Sequence, residues 1–230
     1  MKERFLHFLF PEVCVICGKM LLDDERGFCH GCRERFDAFT DAPAAGFALM
    51  HVIESHFSGK NVLSAACCRY VFHQHSPLQK ALHAMKYGGL YGLGLDFGRD
   101  LGYWISSVLP PSGVDCLVPV PLHRLKHVER SFNQAEKIAL GIAESFQKPV
   151  RTDLLARGRY TVTQTGLAIA ARRKNLEGAF LASGKEVPPH VLLVDDVVTT
   201  GATVVAAAEA LLRAGAKRVS VAALALAAKE

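Results

Sequence analysis

From about Val62 onward, short apolar runs alternate with segments whose apolar residues recur at helical spacing, the pattern of an α/β chain. Val62–Phe72 is β-prone, and Cys67 and Cys68 within it read as small core residues. Ser76-Pro77 opens a helix predicted to run to about Tyr87, with Leu78, Leu82 and Met85 on one face and Pro77 suited to the first turn. A second helix is predicted over Leu95–Val108, and Asp115–Val120 is a short apolar run bounded by turn signals, read as the first strand of a parallel sheet. Ser131–Phe146 reads as a helix, His190–Val194 as a fully buried strand, Gly201–Ala214 as an Ala-rich helix and Val219–Leu226 as a last strand. The glycines between Gly88 and Gly98 look at first like a dinucleotide fingerprint. That pattern fails, because position 97 is Phe97 and no β-run precedes it, so a turn between two helices is expected there.

The 230 residues allow one domain plus a smaller appendage, and 50% hydrophobic content excludes an intrinsically disordered chain. No apolar run approaches the ~18 residues of a membrane span, and residues 1–10 carry neither a long apolar stretch nor a small-residue cleavage site. A cytoplasmic protein is therefore expected. The net charge of +5 is compatible with phosphorylated substrates or nucleic acid and demands neither.

Four of the seven cysteines change the picture of the N-terminal part. Cys14 and Cys17 form one pair, Cys29 and Cys32 another, with eleven residues between the pairs. Two tight turns presenting two thiolates each can converge on a tetrahedral zinc ion, and four thiolates leave no open position for water, so the metal would be structural. Two structural disulfides are the alternative, disfavoured by the missing export signal, and a redox CxxC pair is a further one, disfavoured by the second CxxC close by. A zinc module over about residues 10–40 is expected, followed by a linker at Thr40–Gly46, where Asp-Ala-Pro-Ala-Ala-Gly supplies breaker residues.

The stretch richest in chemistry runs from Val191 to Thr203. A buried strand delivers Asp195 and Asp196, a hydroxyl-rich turn follows, and a helix begins near Gly201. Unpaired N–H groups at a helix start attract a phosphate, and Gly201 permits close backbone approach. The two acids beside it can accept hydrogen bonds from vicinal hydroxyls, so the segment describes a ribose 5-phosphate site. An acidic Mg²⁺ pocket of the receiver type would need a further acid and a lysine at other strand ends, and neither is found. A second feature is Leu117-Val118-Pro119-Val120-Pro121-Leu122-His123-Arg124, followed by Arg130-Ser131-Phe132-Asn133-Gln134-Ala135. Its prolines stiffen a turn after a strand, and Arg124, Lys126 and Arg130 place cations where a pyrophosphate could be shared with Mg²⁺; a solvated basic turn is the competing account.

All thirteen positions from Val191 to Thr203 match the phosphoribosyl-pyrophosphate (PRPP) signature of type I phosphoribosyltransferases. With the four cysteines, Lys86-Tyr87, and Gln164 through Arg172, Asn175 and Gly178-Ala179-Phe180, the chain resembles the ComF/GntX family over about residues 10–226. The resemblance implies a zinc finger over residues 1–42 and, over 43–230, a type I phosphoribosyltransferase fold: a Rossmann-like parallel sheet flanked by helices, with a hood. It implies a link to competence, DNA uptake or use of external DNA. It implies PRPP with Mg²⁺ bound by its 5-phosphate on Val197, Val198, Thr199, Thr200, Gly201, Ala202 and Thr203, its ribose on Asp195 and Asp196, and its pyrophosphate near Pro121, Leu122, Arg124, Arg130 and Lys86. Gln164–Arg172 would be the mobile loop over the site, although exposed helix surface accounts for Arg172 and Arg173 equally well. A nitrogen nucleophile would displace pyrophosphate at C1. The alternative is a non-catalytic factor that keeps the PRPP site and binds single-stranded DNA or a DNA-uptake or recombination protein. The acceptor is not written in the residues of the hood.

Overall fold

A computed structural model describes residues 12–122, 132–158 and 178–228. The elements among them are α1 (His30–Arg33), α2 (Ala42–His56), β1 (Ala65–Phe72), α3 (Pro77–Tyr87), α4 (Gly92–Ile105), β2 (Cys116–Pro119), α5 (Gln134–Phe146), β3 (Leu155–Arg157), β4 (Phe180–Ala182), β5 (His190–Val198), α6 (Ala202–Arg213) and β6 (Arg218–Ala227). Four strands form one parallel sheet in the order β1-β6-β5-β2, and β3 pairs antiparallel with β4 in a separate ribbon. None of the helices is long and apolar enough to cross a membrane, among the described residues.

The sheet is parallel because each pairing is reached through a helical crossover, and both of its faces are therefore covered. Side chains of successive strand residues point to opposite faces. On β5, Val191 and Leu193 join a core with Leu49 and Ile53 of α2, Leu211 of α6, and Leu155 and Phe180 of the ribbon. Leu192 and Val194 join the other core, with Met85 of α3, Phe97 and Leu101 of α4, and Ile138 and Ile142 of α5. Helices α4 and α5 cross at backbone contact. A Cβ added to Gly98 would lie 2.2 Å from the Ile138 carbonyl oxygen, and one added to Gly141 would lie 2.2 Å from that of Leu95. This explains the glycine run that resembles a nucleotide fingerprint: its later members lie inside α4, where they let a second helix approach, and only residues 88–91 form the expected turn.

Three sequence expectations need correction. Thr40–Gly46 is not a linker. The Asp41 carboxylate accepts from the Ala44 amide at 2.7 Å, Pro43 sits in the first turn, and the breaker residues start a fifteen-residue helix instead of ending one. The first strand of the sheet is Ala65–Phe72, not the segment at Asp115–Val120; β1 pairs with β6 from Ala65↔Ser220 to Phe72↔Ala227. The second helix begins at Gly92, three residues before the predicted Leu95, since glycine-rich sequence hides a helix whose glycines serve packing.

Candidate functional site

The cysteine knuckle is built from two small turns. Backbone bridges Val13↔Met20 and Arg26↔Phe28 shape them, and the Glu25 carboxylate ties them together by accepting from the Leu22 amide at 2.9 Å and the His30 amide at 2.7 Å. The sulfurs of Cys14, Cys17, Cys29 and Cys32 all lie within 4.8 Å of one another, with Cys17 and Cys29 at 3.7 Å. A tetrahedral zinc with bonds of ~2.3 Å requires sulfur separations of about 3.8 Å, so the donor set fits that metal in type and in spacing. The four sulfurs converge as one set, and the 3.7 Å between Cys17 and Cys29 is far beyond the ~2.05 Å of a disulfide bond, an arrangement that favours a shared metal over two bridged pairs. Burial pushes the Cys14 thiol up, but hydrogen bonds from backbone amides outweigh it and bring it down to about 6. Burial and the neighbouring sulfurs push Cys32 up to about 12. Four thiols this close cannot all ionise unaided, and a divalent cation among them removes the conflict.

The knuckle shares its core with the rest of the chain. Phe28 and Phe36 meet edge to face at 5.1 Å, Phe28 lies 5.5 Å from Phe97 of α4, and Phe36 lies 5.6 Å from Tyr70 of β1. Asp100 of α4 joins both sides, accepting from the Tyr70 hydroxyl at 2.8 Å and pairing with Arg33 of α1 at 3.2 Å.

At the other candidate site, β5 continues past the predicted Val194 to Val198, so both acids stand within the strand. Its neighbour β2 ends at Pro119, opposite Val194, and beyond that point no strand pairs with this side of β5 among the described residues. Alternation sends the two carboxylates to opposite faces. Asp196 turns toward α3, where its Oδ2 lies 2.5 Å from Lys86 Nζ, and its Oδ1 accepts from the Val197 amide at 2.7 Å. Asp195 turns toward the ribbon and accepts from the Asp196 amide at 2.9 Å. Burial, reinforced by the like charge of Asp196, pushes the Asp195 carboxyl up to about 8.

After β5 the chain turns through Thr199 and Thr200 into Gly201, whose φ of 81° is left-handed and which caps α6 without a side chain. The Thr200 hydroxyl oxygen accepts from the Ala202 amide at 3.4 Å. Asp195 and residues 197–204 line a small hollow at this helix start, with the exposed Thr199 at its mouth. Amide donors, hydroxyls and the positive end of α6 converge there, which is chemistry for an anion, beside two carboxyl groups, which is chemistry for hydroxyls or a divalent cation.

Of the residues expected around a pyrophosphate, Lys86 is brought to the acids. Pro121 and Leu122 follow β2 at the same end of the sheet, half-buried. Arg124, Lys126 and Arg130 lie outside the described residues, as do Gln164, Arg172 and Asn175. Two residues had no role assigned from the sequence, Asn133 having been quoted there only as part of the second feature. Asn133 caps α5 by accepting from the Ala135 amide at 3.1 Å, and its Nδ2 donates to the Val120 carbonyl at 3.0 Å, so it ties the start of α5 to the end of β2. Its place just before an apolar-periodic run was the available signal. Arg157 is the other. Its guanidinium stacks 5.3 Å from the Phe180 ring, and burial draws its basicity down while the Asp195 carboxylate pulls it up. Nothing in its local sequence marks it, because the ribbon brings it to the acids only in the folded chain.

Comparison with known proteins agrees with this geometry. The family profile described as Phosphoribosyl transferase domain matches residues 134–230. The chain is 32% identical over 220 residues to the DNA utilization protein YhgH of Escherichia coli K12, covering 92% of this chain and 95% of the relative. It is 27% identical over 216 residues to competence protein F of Haemophilus influenzae, covering 90% and 94%. Competence protein ComFC of Bacillus subtilis is 28% identical over 151 residues, covering 64% of this chain and 58% of that protein.

Proposed function

Because the chain belongs to the competence protein F and DNA utilization protein family of phosphoribosyltransferase-like proteins, we propose that it binds PRPP with Mg²⁺ and transfers the phosphoribosyl group to a nitrogen nucleophile. A knuckle held by structural zinc over residues 1–42 precedes the phosphoribosyltransferase-like domain, 43–230, in a cytoplasmic protein. The observation that carries the reading is the junction of β5 and α6, where two acids and a glycine-opened helix start stand side by side.

In this reading the 5-phosphate sits on the amides and hydroxyls of residues 197–203, where the α6 dipole offsets its charge. The ribose hydroxyls donate to Asp195 and Asp196. Bound Mg²⁺ would share the charge of the pyrophosphate and be held through the acids and the donor itself. Pyrophosphate lies toward Pro121, Leu122 and Lys86, with Arg124 and Arg130 as further candidates. Departure of pyrophosphate leaves an oxocarbenium-like C1, and the carboxylates below the ring favour that charge more than they favour the neutral sugar, which is what lowers the barrier. The chain has no need of a covalent nucleophile. Pyrophosphate release from PRPP, screened against bases and amines, tests the proposal. Turnover that disappears in the Asp195→Asn, Asp196→Asn double variant supports it, and an inert wild type that fails to bind PRPP·Mg²⁺ refutes it.

A second reading has an observation of its own. Tyr87 and Tyr91 are exposed at the turn between α3 and α4, and Lys137 lies 5.9 Å over the Tyr91 ring. Exposed rings next to cations are the elements of a base-stacking surface. A non-catalytic factor that retains the PRPP site and handles single-stranded DNA, or docks with DNA-uptake or recombination proteins, would show strand binding that weakens steeply with salt and no turnover.

A further inference from the structure

Lys86 closes the last turn of α3, and its ammonium ends on Asp196, with the two side chains only 21% and 17% exposed. Oδ2 of that carboxylate faces Lys86 and Oδ1 accepts from Val197, so both oxygens are engaged before any ligand arrives. A ribose diol reaching this carboxylate therefore has to share it with the ammonium, and gains less from it than from an uncommitted acceptor. A lysine head is a compact, strongly hydrated charge on a flexible stem, and it leaves a mostly buried carboxylate only when another anion is offered within reach. A sugar 5-phosphate offers none at C1. A sugar carrying both a 5-phosphate and a 1-pyrophosphate does. Arg157, on the opposite face of β5, lies on the Asp195 side and is not part of this exchange.

Resting on the PRPP reading above, we propose that Lys86 is a positioning residue that discriminates between donors: it holds Asp196 in the free protein and passes to the pyrophosphate when a complete donor binds, so that the ribose hydroxyls gain the carboxylate only then. Ribose 5-phosphate, with no anion at C1 to draw the ammonium off, must share the carboxylate with it and is disfavoured. The same site thereby prefers donor over the sugar phosphate left after hydrolysis.

The test is calorimetric titration of ribose 5-phosphate, and of PRPP with Mg²⁺, into the full chain and into Lys86→Met, Lys86→Gln and Lys86→Arg, with circular dichroism to identify the folded variants. Removing the charge should weaken PRPP binding about tenfold, the scale of one charge-assisted contact, and strengthen ribose 5-phosphate binding by a similar factor. Arginine should retain the preference for PRPP. An ion pair that merely fastens α3 to β5 would lower both affinities together or neither, and that result overturns the proposal while leaving the PRPP reading intact. A wild-type protein that binds neither compound removes the PRPP reading, and this proposal with it.

Discussion

Gly201→Ala is the sharpest single perturbation of the anion hollow, because its cost has two parts that can be separated. The native φ of 81° lies in the left-handed region, where an alanine loses about 1–2 kcal/mol. The new Cβ would also stand 2.5 Å from Ile53 Cγ1 of α2, a residue only 3% exposed, and crowding of this kind costs about 1–3 kcal/mol. A total of roughly 3 kcal/mol corresponds to a fall in Tm of roughly 6–12 °C for a chain of this length. Ile53→Ala removes Cγ1 and leaves Cβ at an ordinary 3.4 Å, but opens a cavity costing about 2–5 kcal/mol by itself. In the double variant the crowding vanishes while the backbone strain stays. Urea denaturation should therefore give a double variant less destabilised than the sum of the singles by about 1–3 kcal/mol. PRPP·Mg²⁺ affinity should stay depressed in Gly201→Ala with or without the second change, since the turn, not the clash, aims the amides. A Gly201→Ala protein within about 0.5 kcal/mol of wild type, or strictly additive singles, would refute the account.

Three further outcomes are expected. Stripping metal with a strong chelator should abolish the near-ultraviolet dichroism of the cluster Phe28, Phe36, Tyr70 and Phe97 and lower Tm of the whole chain, because the knuckle shares its core with α4 and β1; an unchanged melt would show that the metal site is energetically detached. His190 is buried, 2.9 Å from the Ser220 hydroxyl, and burial, with Arg218 nearby, lowers its pKa; the unfolded chain then takes up the proton first, so stability should fall as pH drops below about 6.5, and His190→Gln should flatten that slope in urea melts. Because Asp195 is pushed up to about 8, PRPP·Mg²⁺ affinity should rise from pH 7 to pH 9 as the carboxyl loses its proton, and a profile that keeps this rise in Asp195→Asn would exclude Asp195 as its source.

How far the fold and the site could be read from the sequence depends on how local each cause is. The thirteen-residue run from Val191 to Thr203 carries its meaning in contiguous residues: strand hydrophobicity, acids, hydroxyls and a glycine that alone tolerates its dihedral. The cysteine knuckle is local in the same sense, its ligands set by two short spacings. Helix α3 was legible through Ser76, whose hydroxyl caps it by accepting from the Gln79 amide at 3.2 Å, and through its apolar spacing. The failures have distant partners. The glycines of α4 make sense only against Gly141, some forty residues on, and Asp41 reads as a breaker until its carboxylate is seen capping α2. Arg157 needs the β3–β4 ribbon to reach the acids, and the Lys86–Asp196 pair joins residues more than a hundred positions apart. A local pattern can therefore announce an anion hollow beside two acids, because such a hollow needs only one turn and one helix start. It cannot announce how the charge of the acids is balanced in the absence of ligand. That balance is set by cations arriving from opposite faces of one strand, and the strand's alternation, sending Asp195 to one side and Asp196 to the other, decides which cation meets which acid. The two carboxyl groups are therefore not equivalent: one is tied to an ammonium on a flexible stem, and the other is pushed by burial and a neighbouring like charge toward its protonated form.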